Sequence, residues 1–161
     1  MSFKLSSAIL VMALGLAACG QSGTTVTTPS GTVTTSTDGS VTTVTGPDGV
    51  TASFGAGATV TQLPDFLPLY PNAKVISSVN APQAGTQGGS VAFETKASPA
   101  EVVAFYKQKV TARGLAETLT ATEGDSMTYM ASKDQTSVQI LASKGTDATE
   151  IVLTWTAPRA N

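Results

Sequence analysis

The chain contains no histidine. That removes imidazole as a general acid or base, as a metal ligand and as the base beside a serine or cysteine nucleophile. Charge is sparse too. Nine Lys and Arg face eleven Asp and Glu, and charged residues make up only 12% of the chain. They gather into no basic run, so the electrostatic footprint of nucleic-acid binding is missing. Cysteine occurs once, as Cys19, which excludes an internal disulfide. No apolar run reaches the ~20 residues that a membrane-crossing helix needs. The longest, Ala8 to Ala18, has eleven residues and would extend roughly 16 Å as a helix.

That short run has the form of an export signal. Lys4 supplies a positive charge ahead of it, and it ends in Leu16-Ala17-Ala18-Cys19-Gly20. This ending resembles the bacterial lipobox, in which a Leu, two small residues and a Cys are read by the lipidation and cleavage machinery. Small residues let a peptidase fit closely around the backbone, and a thiolate is the nucleophile that takes up a diacylglyceryl group. Residues 1–18 are therefore expected to be a lipoprotein signal peptide and Cys19 the lipidation site, carrying acyl chains such as palmitate. An ordinary secretory signal with a chance cysteine is the competing reading. The uniqueness and position of Cys19 weigh against it. Three acyl chains would hold the protein at a membrane, since each buried CH₂ contributes roughly 0.8 kcal/mol. Gly20, not Asp, follows the cysteine. By analogy with lipoprotein sorting, this points to the outer membrane, with the domain facing the periplasm. Once Lys4 is removed with the signal, eight basic side chains face eleven acidic ones.

What the chain has in abundance is threonine. From Gln21 to Gly57, Thr/Val runs alternate with Pro29-Ser30-Gly31, Asp38-Gly39 and Pro47-Asp48-Gly49. Asp-Gly between β-branched runs is a strong hairpin signal. The side chains are mostly small, however, and little apolar area is available to offset ordering entropy. Residues 19–62 are accordingly read as a lipidated N-terminus and a tether with short hairpin-like strands. As a flexible coil the 37 residues from Gln21 to Gly57 would reach about 33 Å. A ladder of ordered hairpins is the alternative.

Residues 63–161 are read as a globular domain. Leu63 to Ala73 holds three prolines among large apolar residues, which forbids a regular helix or central strand. An extended strip covering the core is expected there; a docking lip for a partner is the functional alternative. One helix is predicted from Pro99 to about Arg113. Ser98 stands at the N-cap, Pro99 at the first helical position, Glu101 at the third, and Gly114 just past the end. Val102, Val103, Phe105, Tyr106 and Val110 share one broad face, which must lie on a sheet. Period-two alternation predicts strands at Lys74–Asn80, Ser90–Thr95, Leu115–Thr122, Ser126–Ser132, Thr136–Ala142 and Thr149–Thr156. The expected fold class is α+β: a small antiparallel sheet, order β-β-α-β-β-β-β, with one helix packed on one face.

Several of these segments together resemble a group of proteobacterial envelope lipoproteins of uncharacterised activity. The residues that carry the likeness are Leu69-Tyr70-Pro71-Asn72-Ala73-Lys74-Val75, Val91-Ala92-Phe93-Glu94-Thr95, Ser98 to Tyr106, and Arg113-Gly114-Leu115. Leu115 stands where that group commonly has an aromatic, and Asn72 where it has Gly. The likeness spans roughly Pro68 to Trp155. It implies an exported α+β domain and assigns no chemistry.

Few residues offer chemistry of their own. Gly85-Thr86-Gln87-Gly88-Gly89-Ser90 is glycine-rich, but no Lys follows it, and it leads into a strand where a phosphate loop leads into a helix. It is read as a hairpin loop. Gly55-Ala56-Gly57 lacks the third glycine of a dinucleotide fingerprint. Asp38-Gly39 and Asp48-Gly49 bring one carboxylate each, too few for calcium. Glu117, Glu123 and Asp125 are read as a solvated loop, and Phe105 and Tyr106 as core. No catalytic, cofactor or metal residue is assigned. The expectation is a non-enzymatic envelope lipoprotein, held to the membrane by its lipid, whose domain binds a partner protein or another envelope component and no nucleic acid. A small-ligand module using the open face of the sheet is the alternative, and a Ser–Lys hydrolase the more remote one.

Overall fold

The computed structural model describes residues 22–28, 31–38, 40–60, 63–83 and 85–159. The signal segment and Cys19 lie outside these residues. Ten strands and one helix follow in chain order: β1 (Ser22–Thr28), β2 (Gly31–Asp38), β3 (Val41–Thr45), β4 (Thr51–Phe54), β5 (Lys74–Gln83), β6 (Thr86–Thr95), α1 (Pro99–Ala112), β7 (Ala116–Glu123), β8 (Ser126–Lys133), β9 (Thr136–Lys144) and β10 (Thr149–Pro158). All ten strands form a single antiparallel sheet in the order β1-β2-β3-β4-β5-β6-β10-β9-β8-β7.

This corrects the expected fold class. The protein is β-rich, its sheet is not small, and the order β-β-α-β-β-β-β omits four strands. The Thr-rich stretch supplies them. β4 joins the sheet against β5, pairing Ala52 with Val79 and Ser53 with Ser78. β3, β2 and β1 then add outward by hairpins. The ladder of ordered hairpins, the alternative to a tether, is what forms, although these residues build little core. Their order comes instead from the backbone ladder and from hydroxyl contacts between strands. Thr25 and Thr34 Oγ1 lie 3.4 Å apart, Thr37 and Thr42 3.2 Å, and Thr43 Oγ1 and Ser53 Oγ 3.2 Å. Cross-strand pairs of this kind each contribute a few tenths of a kcal/mol to ~1 kcal/mol.

The helix forms where its caps lie. Ser98 Oγ accepts from the Glu101 amide at 3.3 Å, and the Ser98 amide donates to Glu101 Oε2 at 2.8 Å, closing a capping box. These bonds hold the Glu101 carboxyl below its usual range, the Ser98 amide contributing most. At the other end Gly114 takes φ 85°. Its amide donates to the Thr111 carbonyl at 2.8 Å, and the Leu115 amide donates to the Val110 carbonyl at 3.0 Å. That is a full Schellman ending, and both Val110 and Leu115 are buried beside it.

α1 packs on β7, β8 and β9. Val102, Val103, Tyr106 and Val110 meet Tyr129, Val138, Ile140 and Ile151 in the core, with Phe93 and Leu153 beside them. The strip from Leu63 to Ala73 covers more of the same face. Leu67 is fully buried, and Tyr70 stacks edge-on against Phe105 at 5.0 Å between ring centres. Helix and strip thus share one face of the sheet. Among the described residues no element packs on the other.

The glycine-rich segment is a second correction. Gly88, Gly89 and Ser90 are not a loop but the first half of β6, paired with β5 on one side and β10 on the other. Gly89 is there for space. A Cβ at this position would stand 2.6 Å from the Trp155 ring and 2.5 Å from the Val79 carbonyl oxygen. The Trp155 ring lies across the gap and is 2% exposed.

Candidate functional site

The uncovered face of the sheet is built from the alternate residues of each strand. One row across it runs Leu119, Met130, Gln139, Thr154, Ser90, Val79. The next runs Ala121, Thr128, Leu141, Val152, Ala92, Ser77, Phe54. Neither row carries a charge. Charges begin in the row beyond, where Glu123, Glu150, Glu94 and Lys74 stand with Ser126 and Ser143.

Burial separates the two faces sharply. β10 alternates buried and exposed along its whole length, with Ile151, Leu153 and Trp155 inside and Val152, Thr154 and Thr156 outside. The large apolar side chains left exposed among the described residues are Val26, Phe54, Ile76, Leu119, Leu141 and Val152. Five stand at open-face positions by register, and Ile76 sits at the bulge of β5. An exposed apolar patch with a polar rim marks an interaction surface more often than chance. Hydrophobic pattern alone made this face hard to see, because Leu141 follows directly on Ile140 and Val152 on Ile151. The readable signal was the apolar residue at the wrong parity.

Three concavities border the face or the core. A shallow trough of about 310 Å³ lies on the open face over Gly88, between Ala81 and Thr156. A polar cleft of about 600 Å³ at one end of the sheet is lined by Lys74, Glu94, Lys96, Asp147 and Glu150, and Lys96 Nζ donates to the Asp147 carbonyl at 2.7 Å. A third cleft, of about 870 Å³, opens at the other end between the strip, the end of α1 and the turn from β8 to β9. Phe66, Leu115 and Ala157 line it, and its charged lining is mixed, with Arg113, Lys133 and Arg159 beside Asp65 and Asp134. The Arg113 guanidinium lies 5.9 Å from the Phe66 ring centre, within cation–π range.

The residues singled out in the sequence fall in separate places. Glu117 pairs with Lys107 of α1 at 2.6 Å and accepts from Thr120 Oγ1 at 2.8 Å. Each partner stabilises the other's charge, so the Glu117 carboxyl is lowered and the Lys107 ammonium raised, in both cases chiefly by their mutual hydrogen bond. Both are exposed, so this pair adds little stability. The solvated loop expected for Glu117, Glu123 and Asp125 is instead a strand: Glu117 and Glu123 belong to β7, and Asp125 stands in the turn to β8. Asp48 sits in a single 3-10 turn with φ 58°. Among the described residues no group of three or more His, Cys, Asp or Glu could hold a metal ion. The Gly55 and Gly57 amides donate to the Ile76 and Val75 carbonyls, which pins the start of the strip to β5. Tyr106 is fully buried in the core, and burial pushes its phenol well above the ordinary tyrosine range. Phe105 is half-buried at the edge of the same cluster.

Among the described residues no helix is long and apolar enough to cross a membrane. No curated protein and no solved structure matches the chain. One family does: residues 75–152, from β5 to the middle of β10 and so within the span of the sequence likeness, match a family model described as START domain-like.

Proposed function

We propose that this chain is a non-enzymatic lipoprotein of the cell envelope, lipidated at Cys19, whose domain docks a partner protein on the open face of its sheet. The observation that carries the reading is the placement of Phe54, Leu119, Leu141 and Val152, exposed on two neighbouring uncharged rows of the uncovered face. The trough there, of about 310 Å³, is the smallest of the three concavities described, which favours a broad partner over a ligand on this face. The lipobox and the absence of Asp after Cys19 favour the outer membrane, with the domain in the periplasm.

A photo-crosslinking side chain placed at Leu141 or Val152 tests the docking face in intact cells. Adducts are expected from both positions and not from Gln108 on the outer side of α1. Adducts of equal strength from Gln108, or none from either sheet position, would sink the proposal.

A second reading has its own support. The START domain-like match and the cleft of about 870 Å³ beside Arg113, Lys133 and Arg159 favour a ligand-binding module, with the ligand at the end of the sheet and not on its open face. Native mass spectrometry of protein purified from its own cells distinguishes the two. A co-purified small molecule released by Arg113→Ala supports the ligand reading, and its absence counts against it.

A further inference from the structure

The sheet has two edge strands, β1 and β7, and their sequences treat exposure differently. A bare strand edge is a row of N–H and C=O groups ready to pair, and proteins block it with charges and bulges. β7 has both. Glu117 and Glu123 stand near its ends, and its register slips between Glu117 and Leu119. β1, Ser-Gly-Thr-Thr-Val-Thr-Thr, has no charge and no proline. Its register runs unbroken from Ser22 opposite Thr37 to Thr28 opposite Gly31. Thr24, Thr25, Val26 and Thr27 are all exposed. Among the described residues no helix lies over either face of β1, since α1 lies over β7, β8 and β9 at the far side of the sheet.

We infer that β1 is a self-pairing edge: it adds in antiparallel fashion to β1 of a second copy, and the two sheets become one. Strand addition of this kind draws its affinity from main-chain hydrogen bonds. A two-fold contact must be self-complementary, because the same patch is used twice. β1 meets that condition. Pairing about Thr25 sets Thr25 against itself, Thr24 against Val26 and Gly23 against Thr27, so β-branched residues meet and no like charges do. Pairing β7 with itself about Thr120 would instead set Glu117 against Glu123. The two-fold axis of such a pair stands perpendicular to the sheet. Both open faces then point the same way, and the row through Val26 and Val33 continues from one copy into the next. This inference does not depend on what the open face binds.

The chain's lone cysteine makes the test clean. Residues directly opposite in an antiparallel pair have Cβ atoms about 4.5–5.5 Å apart, close enough for a disulfide after slight adjustment. Full-length Thr25→Cys is exposed to mild oxidant in intact cells beside Thr120→Cys and the wild type. Most of the Thr25→Cys chain is expected to run at twice the monomer mass, with the other two monomeric. In parallel, two differently tagged copies are co-expressed. Thr25→Lys in both should cut co-capture, and Thr25→Lys in one with Thr25→Glu in the other should restore it. The inference is overturned if wild-type copies do not co-capture, if Thr25→Lys leaves co-capture unchanged, or if Thr25→Cys stays monomeric. Equal dimer from Thr120→Cys or the wild type, or linkage of Thr25→Cys to a different protein only, overturns it as well.

Discussion

Replacing Gly89 by alanine sets two effects of opposite sign against each other. In the middle of a strand, glycine costs about 0.5–1 kcal/mol relative to alanine through the entropy of the unfolded chain. On propensity alone, Gly89→Ala should stabilise. The structure says otherwise. The added methyl would stand 2.6 Å from the Trp155 ring and 2.5 Å from the Val79 carbonyl. Trp155 is buried and cannot swing into solvent, and the carbonyl belongs to the backbone ladder between β5 and β6. Overpacking a well-filled site typically costs about 1–3 kcal/mol, and the fixed neighbours place this site at the upper end. The net effect expected is a loss of about 2 kcal/mol. Urea unfolding followed by far-UV circular dichroism measures it, as a lower midpoint at unchanged slope. A double-mutant cycle with Trp155→Leu separates the two contacts. Removing the ring should recover part of the loss and leave the share due to the carbonyl. A Gly89→Ala variant within 0.5 kcal/mol of the wild type would refute the reasoning, as would a double mutant that shows no coupling.

Three further outcomes are expected. Ser98→Ala removes the cap on the Glu101 amide and should lower stability by about 1 kcal/mol, read as a reduced urea midpoint. Burial raises the phenols of Tyr106 and Tyr129 above their unfolded value of about 10, so the folded state keeps protons that the unfolded state has lost. The stability they confer is complete below pH ~10 and falls as pH rises beyond it; Tyr106→Phe should flatten that alkaline decline in a series of unfolding curves. Cys19→Ala should shift the protein out of the membrane fraction, and mass spectrometry of the mature wild-type N-terminus should find Cys19 acylated.

How much of this could be read from residues in a row depended on where the stabilising partner stood. The helix was legible because its signals are local: Ser98, Glu101 and Gly114 lie within one turn of its ends. The strands from β8 to β10 were legible because one buried face imposes period two on Tyr129, Ala131, Val138, Ile140, Ile151 and Leu153. Gly88 and Gly89 were misplaced because the reason for them is Trp155, which reaches them only through the pairing of β6 with β10. The Thr-rich strands were undervalued for a different cause. Their order comes from a ladder propagated outward from β5; Asp38-Gly39 signals a turn, but no large apolar side chain in β1 or β2 marks a buried face. The open face was expected, but its apolar residues were harder to read: Leu141 and Val152 stand beside core residues, and only the parity of the pleat sends them outward.

The position of β10 sets a timetable for folding. It is the last of the ten described strands in chain order, yet it lies inside the sheet, between β6 and β9. Everything before it can form only two separate pieces: a meander from β1 to β6, and a hairpin stack from β7 to β9 with α1 against it. Each piece leaves its inner edge bare until Thr149 to Pro158 arrives and closes both at once, with Ile151 against Phe93 and Ala142. The pairing with β9 is a local hairpin, but the pairing with β6, which lies across α1 and three strands in sequence, forms slowly. A ribosome that stalls before Thr149, or a protease that clips the turn before it, therefore does not yield a slightly shorter protein. It yields a six-stranded and a three-stranded piece, each with the bare inner edge that β10 would have closed.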